Sequence, residues 1–242
     1  MVSTPSRAKT GGGGAAAHRI IGGYDDAELA PGRPRTAHPR LELRLPGLAE
    51  LDALGDLAAE GVHDPAEMPF AVPWTDAPPA ERARAVAQYH WKTLGELRTE
   101  DWRLPFAVFA DGVPVGIQEI AARDFAVART VHTGSWLGLR HQGRGIGTEM
   151  RRAVLHLAFE ELGAEAAITS VLGGNTRSMG VSRRLGYRDN GITWISLRGR
   201  RRADHRMLLE RADWRVDPAH PVRVTGLERC RSLLGCETPD RP

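Results

Sequence analysis

A glycine-rich segment in the second half of the chain has the residue types and spacing of a ligand-binding loop. It lies between an apolar run and an amphipathic segment and reads Gln142-Gly143-Arg144-Gly145-Ile146-Gly147-Thr148. Glycine permits sharp turns and lets backbone N–H groups approach a ligand closely. The helix that begins here adds unpaired N–H donors and the positive end of its dipole. The segment therefore predicts a phosphate-binding loop, although a plain strand-to-helix connection can have a similar composition.

Two common phosphate-binding motifs do not match this segment. The P-loop requires Gly-Lys-Ser/Thr, which is absent, so a nucleoside triphosphatase is not indicated. A dinucleotide-binding fingerprint requires Gly-x-Gly-x-x-Gly with an acidic residue about twenty positions later. The spacing here, Gly143-x-Gly145-x-Gly147, is a poor match to that fingerprint.

A second segment points to the same kind of ligand. It reads Asn175-Thr176-Arg177-Ser178, followed by Val181-Ser182-Arg183-Arg184-Leu185-Gly186-Tyr187. Together the two segments resemble the GNAT acyltransferases. The first fits the acyl-CoA loop Gln/Arg-x-x-Gly-x-Gly/Ala, and the second is similar to the Asn-x-x-Ser…Lys/Arg-Leu-Gly-Phe/Tyr signature of the RimJ/RimL-type branch. The resemblance covers roughly residues 41–215. It implies an α/β fold, with a splayed mixed α+β sheet flanked by helices.

The resemblance also implies where acetyl-CoA, or another short acyl-CoA, would bind. The amides of Gln142 to Thr148 are expected to hold the pyrophosphate, and backbone groups around Leu137 and Leu139 to pair with the pantetheine arm. Asn175 is expected to support the ligand. The residues expected to contact the cofactor are Leu137, Leu139, Gln142, Gly143, Arg144, Gly145, Ile146, Gly147, Thr148 and Asn175. Arg183 or Arg184 could meet the adenosine 3′-phosphate, or both could lie on a solvated face.

Ser178 and Glu119 are the candidate catalytic residues. In RimL-type enzymes a serine at the position of Ser178 is credited with stabilising the leaving thiolate. Glu119 lies on a predicted strand where strand alternation lets either Gln118 or Glu119 face the site, and a carboxylate there could accept the amine proton. The other candidate bases are His132, Ser135, Asp124 and Glu67, and a water chain is the alternative to a side chain. Tyr187 is expected to pack.

A proline-rich, aromatic connection between the first two predicted helices, residues 63–74, corresponds to the segment that lines the acceptor site in the GNAT fold. Its prolines prevent a continuous helix. We expect Phe70, Trp74 and Glu67 to bind the substrate, together with Ser135 on a neighbouring strand. The alternative is that Phe70 and Trp74 only cap the core.

Hydrophobic periodicity supplies the elements that would position these residues. Strands are predicted at 41–45, 104–110, 113–120, 130–139, 166–172, 192–197 and 205–210, and helices at 48–60, 81–100, 148–162 and 175–185. Asp111-Gly112 is a strong hairpin turn. Gly163 and Gly186 are predicted to end helices, and His90 is expected to be structural.

The predicted organisation has three parts. Residues 1–35 form a flexible extension in which residues 18–24 are a weak strand candidate, residues 36–215 form the acyltransferase domain, and residues 216–242 form a tail. Within that tail, residues 227–234 could form one short helix. Cys230 and Cys236 are expected to be reduced thiols, and no metal site is indicated.

Composition excludes several other classes of protein. The 242 residues carry a net charge of +3, with 41% hydrophobic and 26% charged residues, as in an ordinary globular protein. No apolar run approaches a membrane span, and no signal-peptide pattern begins the chain, so a cytoplasmic protein is expected. Its basic clusters are short, which disfavours nucleic-acid binding; they are Arg151-Arg152 and Arg198 to Arg202, the second in the turn between the last two predicted strands.

These observations predict an N-acyltransferase. It would move an acetyl group, or another short acyl group such as succinyl, from acyl-CoA to a primary amine of a small molecule or a protein N-terminus. A non-catalytic acyl-CoA-binding or partner-binding module is the alternative. The expected partners are acyl-CoA and an amine acceptor, without nucleic acid or membrane, and a homodimer stays open.

Overall fold

The computed structural model describes residues 18–21 and 41–236. Most of the predicted extension, residues 1–35, lies outside these ranges. The strands are β1 His18–Ile21, β2 Leu41–Arg44, β3 Asp101–Ala110, β4 Val113–Arg123, β5 Thr130–Leu137, β6 Ala166–Leu172, β7 Arg188–Leu197, β8 Arg200–Glu210 and β9 Val222–Thr225. The α-helices are α1 Leu48–Glu60, α2 Pro79–Gly95, α3 Phe125–Ala128, α4 Ile146–His156 and α5 Thr176–Arg184.

The described strands form one mixed sheet in the order β7-β8-β6-β5-β4-β3-β2-β1-β9. Its centre is open. Strands β5 and β6 are parallel and pair only from Thr130–Ala166 to His132–Ile168, although both continue beyond that point. We call the gap between residues 133–137 of β5 and 169–172 of β6 the interstrand opening. It confirms the predicted splayed sheet.

Antiparallel pairing determines which side chains share a face of this sheet. Glu119 is opposite Gly134, and Gln118 is opposite Ser135, so these two pairs lie on opposite faces. Glu119 and Gly134 face α1 and α2, whereas Gln118 and Ser135 face α4. The larger core lies between the sheet and α4 and includes Ile120, Val131, Val154 and Leu155; a smaller one lies under α1 and α2 and includes Leu54, Leu57, Val86 and Ile117.

Several boundaries differ from the prediction for local reasons. Helix α2 ends at Gly95 rather than at residue 100, because Arg98 and Asp101 exchange backbone hydrogen bonds that begin β3. Helix α4, predicted at 148–162, begins at Ile146 and continues after His156 as a π-helical turn, Leu157–Glu161. The predicted Asp111-Gly112 turn is confirmed, and both residues have the positive φ that such hairpins require.

The last hairpin is longer than the sequence suggested. Strands β7 and β8 are joined by Arg198 and Gly199 alone, both with positive φ. The arginine-rich stretch that we expected in the turn, residues 200–202, therefore belongs to β8. Alternation within that strand places Arg200 and Arg202 on one face and Arg201 on the other.

Residues beyond 215 contribute to the fold. Strand β9 pairs in parallel with β1 at the edge of the sheet, which confirms a strand within the candidate stretch 18–24. Leu227, Leu234 and Cys236 are buried in the larger core. The predicted single helix at 227–234 is wrong, since two separate 3₁₀ turns stand there, Glu228–Cys230 and Ser232–Leu234. Within the described ranges, no helix has the length and apolarity that crossing a membrane requires.

Candidate active site

The glycine loop, residues 142–148, connects β5 to α4 through a 3₁₀ turn at Leu139–His141. Gly143 has φ +75° and Gly145, the N-cap of α4, has φ +84°. A side chain in this left-handed region costs about 1–2 kcal/mol. A Cβ on Gly143 would meet no heavy atom within 4 Å, so the space beside it is open. The loop therefore depends on glycine for its path and leaves room against its backbone.

The amides of Gly143, Gly145, Ile146 and Gly147 have no hydrogen-bond acceptor among the residues that the structure describes. They stand at the positive end of the α4 dipole. Two other amides that we expected to bind phosphate are used inside the loop, because Gln142 donates to the Leu139 carbonyl at 3.3 Å and Thr148 to that of Gly145 at 3.0 Å. The residues present can hold a diphosphate, but fewer backbone amides are free to donate to it than the sequence suggested.

The Gln142 side chain holds the loop in place. Its Nε2 donates to the Val62 carbonyl at 2.7 Å and to the Leu137 carbonyl at 2.9 Å. The Leu139 amide donates to the Gly61 carbonyl at 3.0 Å. The Leu137 carbonyl and the Leu139 amide thus already have partners within the chain, and the pairing of backbone groups around these two residues with pantetheine stays a prediction. The part of β5 that lacks a β6 partner is the stretch beyond His132.

The second motif lies beside the loop. Arg177 donates to Gln142 Oε1 at 3.3 Å and so joins the start of α5 to the loop. Asn175 caps α5, since its side chain accepts the Ser178 amide at 3.1 Å. The Ser178 hydroxyl is only partly buried and has no hydrogen-bond partner in the described chain, so it can donate to a ligand. Gly186 ends the helix with φ +93°, as predicted.

Arg151, which the sequence analysis placed in a short basic cluster, is buried beneath the interstrand opening with 4% of its surface exposed. Its guanidinium donates to Ser135 Oγ at 3.1 Å. It also donates to Thr169 Oγ1 and Gln118 Oε1, both at 3.4 Å. These acceptors are neutral, and desolvation lowers the pKa of the guanidinium. A positive charge thus lies under the point where β5 and β6 diverge.

Arg151 also changes the assignment of Ser135. Because that hydroxyl faces α4 and contacts the guanidinium, it does not face the side from which an acceptor was expected. The sequence carried a signal for the buried arginine that we missed. Arg151 stands at helical spacing from Val154, Leu155 and Ala158, within the apolar stripe of α4.

Glu119 faces α1 and α2, and Gln118 faces α4, which confirms that strand alternation allows only one of them on each side. The Glu119 carboxylate already has two partners, since the Tyr89 hydroxyl donates to it and Arg103 pairs with it at 3.3 Å. Burial and the neighbouring carboxylate raise the pKa of Tyr89. Glu119 is thus held in a hydrogen-bonded group that includes a cation.

His132 lies on the same face, at the last paired position before the interstrand opening. Its imidazole is exposed. Desolvation of the ring against the sheet lowers the pKa of His132, and the charges of Arg103, Arg206 and Arg123 lower it further. The imidazole is therefore neutral at pH 7 and can accept a proton.

A cavity of about 530 Å³ opens between three segments that are distant in the sequence. They are the α1–α2 connection at residues 66–69, the turn after β6 at 173–175, and the β7–β8 hairpin at 197–202. Glu67 lines this cavity, and its binding of substrate stays a prediction. Asn175 joins the cavity to the start of α5. Arg198 pairs with Asp76 and so connects the hairpin to the α1–α2 connection.

Phe70 and Trp74 do not line the cavity. Their rings lie 5.5 Å apart, and Trp74 is 5.9 Å from Trp136 of β5. Phe70 packs on the buried residues Met68 and Leu197. These contacts favour the alternative in which the two aromatic residues cap the core.

Three of the remaining candidates, Arg183, Arg184 and Asp124, lie away from these groups. Arg183 pairs with Asp189 at 3.4 Å, and Arg184 is exposed, as on a solvated face. Asp124 follows β4 at the closed end of the sheet. Tyr187 is buried with its hydroxyl 3.4 Å from Thr133 Oγ1 and packs as expected. His90 is also buried, and both of its ring nitrogens lack a partner.

Comparison with known proteins agrees with this geometry. The model of the acetyltransferase (GNAT) domain family matches residues 40–188. RimJ from Mycobacterium smegmatis, in complex with CoA-disulfide, is 20% identical, with 74% of this chain and 86% of that one covered and a TM-score of 0.60. RimL, a ribosomal alpha-N-protein acetyltransferase in complex with coenzyme A, is 17% identical, with 71% and 94% covered and a TM-score of 0.57.

A third similar structure has a different acceptor in its name. It is a spermidine N-acetyltransferase SpeG chimera from Vibrio cholerae and hSSAT, 18% identical, with 72% of this chain and 96% of that one covered and a TM-score of 0.56. At these identities the likeness concerns the fold. The family match covers more than half of the chain.

Proposed function

The chain belongs to the GNAT acetyltransferase family and is an acyl-CoA-dependent N-acyltransferase, and we propose that it transfers an acetyl or other short acyl group to the primary amine of a small molecule or a protein N-terminus. One observation carries this proposal. The unpartnered amides of Gly143 and Gly145 to Gly147 belong to a loop that Arg177 joins to the first turn of α5, where Ser178 has an unpartnered hydroxyl. The RimJ/RimL-type signature at Asn175 to Tyr187 supports the same site.

The chain's own residues would divide the work between donor and acceptor. Bound acyl-CoA supplies an activated thioester carbonyl. The glycine-loop amides would bind its diphosphate, and the β5 edge beyond His132 offers backbone groups to the pantetheine arm. The Ser178 hydroxyl would donate a hydrogen bond to the leaving sulfur, which lowers the energy of the developing negative charge.

The amine must lose a proton as it attacks the thioester carbon. Glu119 was the first candidate for this step, but Tyr89 and Arg103 already occupy its carboxylate. His132 is neutral and exposed on the same face, so we assign the proton to its imidazole. The proton would travel through a chain of water molecules, because His132 pairs with Ile168 and the cavity beside Asn175 begins five residues farther along, at Gly173. Glu119 then has a supporting role that holds Tyr89 and Arg103 in place.

The experiment that tests this function combines binding and turnover. Titration calorimetry with CoA, followed by thiol-release assays with acetyl-CoA over a panel of amines, should show both binding and amine-dependent release. Ser178→Ala should lower kcat by about ten- to a hundredfold while the Kd for CoA stays within about twofold. Ser196→Ala, on exposed β7, is the control and should behave as the wild-type protein does. Equal turnover by Ser178→Ala would remove that hydroxyl from the mechanism.

The alternative function is an acyl-CoA-binding module without turnover. It predicts tight CoA binding and no thiol release with any amine. The unpartnered Ser178 hydroxyl favours the enzyme, because a binding module has no need of a donor at the sulfur.

A further inference from the structure

The cavity beside Asn175 has an uneven distribution of charge. Arginine supplies three of its lining side chains, and Glu67 supplies the one carboxylate; the arginines are Arg198, Arg200 and Arg202. Its buried floor is apolar, since Met68 and Leu197 pack together there. A ligand in this cavity would therefore meet an apolar surface with cationic groups at its rim.

The partners of these arginines differ. Arg198 is neutralised by Asp76. Arg202 donates to the Gly173 carbonyl at 2.9 Å, a neutral partner that leaves the charge uncompensated. Arg200 is exposed and forms no ion pair within the described chain. Arg200 and Arg202 thus present two guanidinium groups to the cavity from alternate positions of β8.

We propose that this basic cavity, lined by residues 66–69, 173–175 and 197–202, selects an acceptor amine that carries a carboxylate or phosphate. The proposal rests on the proposed function, because it names the class of acceptor for that site. Guanidinium groups bind both anions through paired hydrogen bonds. The same charges lower the pKa of a nearby ammonium and so favour the neutral amine that attacks. A polyamine would be repelled.

Acceptor pairs of similar size test the proposal. The pairs are 4-aminobutyrate with butylamine and O-phosphoethanolamine with ethanolamine, and spermidine is the polycation. The wild-type protein should show kcat/KM about ten- to a hundredfold higher for at least one member that carries an anionic group than for its partner without that group, as a charge-assisted hydrogen bond would give. Comparing the carboxylate pair with the phosphate pair identifies which anion is preferred.

Variants of β8 assign the effect to the cavity. Arg200→Gln/Arg202→Gln should reduce the preference for the anionic acceptor to about threefold or less. Arg200→Glu/Arg202→Glu should reverse it in favour of butylamine and spermidine. Arg201→Gln is the matched control, because Arg201 lies between the two and stacks on Trp194 with 3.6 Å from its guanidinium carbon to the ring centroid. That variant should keep the wild-type preference.

A binding measurement separates this proposal from the proposed function. Titration of 4-aminobutyrate and O-phosphoethanolamine into the CoA-saturated protein should give a Kd at least about tenfold weaker in the double Gln variant than in the Arg201→Gln control. If amines without an anionic group are turned over as fast as, or faster than, those that carry a carboxylate or phosphate, the inference is overturned and the acyltransferase function stays intact. Absence of turnover with every amine, together with CoA binding, would instead refute the proposed function.

Discussion

The glycine loop and the basic cavity differ in the chemical groups that form them. The loop uses backbone amides and glycine dihedral angles within one short stretch, residues 142–148. The cavity uses side chains from three segments separated by up to about 130 positions along the chain. A site formed by the backbone of one short segment can be predicted from a sequence motif. A site formed by side chains from distant segments can be identified only when the pairing of the strands is known. Substitutions should therefore affect the two regions differently.

The largest expected effect is on CoA binding and comes from a substitution in the glycine loop. Gly145→Val places a β-branched side chain at φ +84° and beside the unpartnered amides. CoA binding should weaken by about a thousandfold or more, because the loop changes path and the side chain occupies the phosphate position. Calorimetric titration with CoA measures this effect.

Gly112→Val is the matched control for that substitution. Gly112 also has positive φ, +80°, but lies in the β3–β4 hairpin turn. It should destabilise the fold by a similar amount and leave the Kd for CoA unchanged in the folded protein. An equal loss of affinity in both variants would mean that the loop has no specific role in binding.

The next effect concerns His132, on the face of the sheet that is turned toward α1 and α2. If His132 accepts the amine proton, kcat/KM should fall as pH decreases through its lowered pKa, because protonation removes the base. His132→Gln should lower kcat/KM by about a hundredfold at pH 7.5 and abolish the acidic limb of the profile. The pH dependence of kcat/KM over the acid range measures both outcomes.

A Glu119→Gln variant distinguishes the two candidate bases. Its carboxylate is engaged by Tyr89 and Arg103, so the variant should keep the acidic limb while losing some activity through misplacement of these partners. Retention of the limb in His132→Gln, with loss of the limb in Glu119→Gln, would reverse the assignment.

Arg151 lies between the two regions and gives the smallest expected effect. Arg151→Ala removes the guanidinium that bridges Ser135, Thr169 and Gln118, and should lower the free energy of unfolding by about 2 kcal/mol. The next residue provides the control, because Arg152 is only in a 3.4 Å ion pair with Asp217. Arg152→Ala should change stability by less than about 1 kcal/mol in urea unfolding. Equal losses would contradict the buried position of Arg151.

The sequence predicted the elements that depend on local pattern. The order of strands and helices, the glycine loop and the Asn175 cap of α5 followed from periodicity and motif. Arg177 joins the first turn of α5 to the glycine loop, and the roles of Ser178 and of the loop amides stay predictions. These features were accessible because they arise from residues a few positions apart.

The missed features depend on contacts between distant segments. Arg151 looked like a surface residue until α4 was placed under the interstrand opening. Glu119 looked like a free carboxylate until α2 brought Tyr89 beside it. The direction of Ser135, toward α4, is determined by its pairing with Gln118. For Glu119 and Ser135, no pattern of nearby residues contains that information, whereas the burial of Arg151 was indicated by its helical spacing from Val154 and Leu155.

The pairing of β1 with both β2 and β9 has a practical consequence for shortened versions of the chain. A truncation that starts at residue 41 would remove β1 and, with it, the strand on which β9 is aligned. Strand β2 would then expose a row of unpaired N–H and C=O groups, which favour edge-to-edge aggregation. Fragments trimmed to the segment that matches the family would thus tend to precipitate during purification, for reasons unrelated to catalysis.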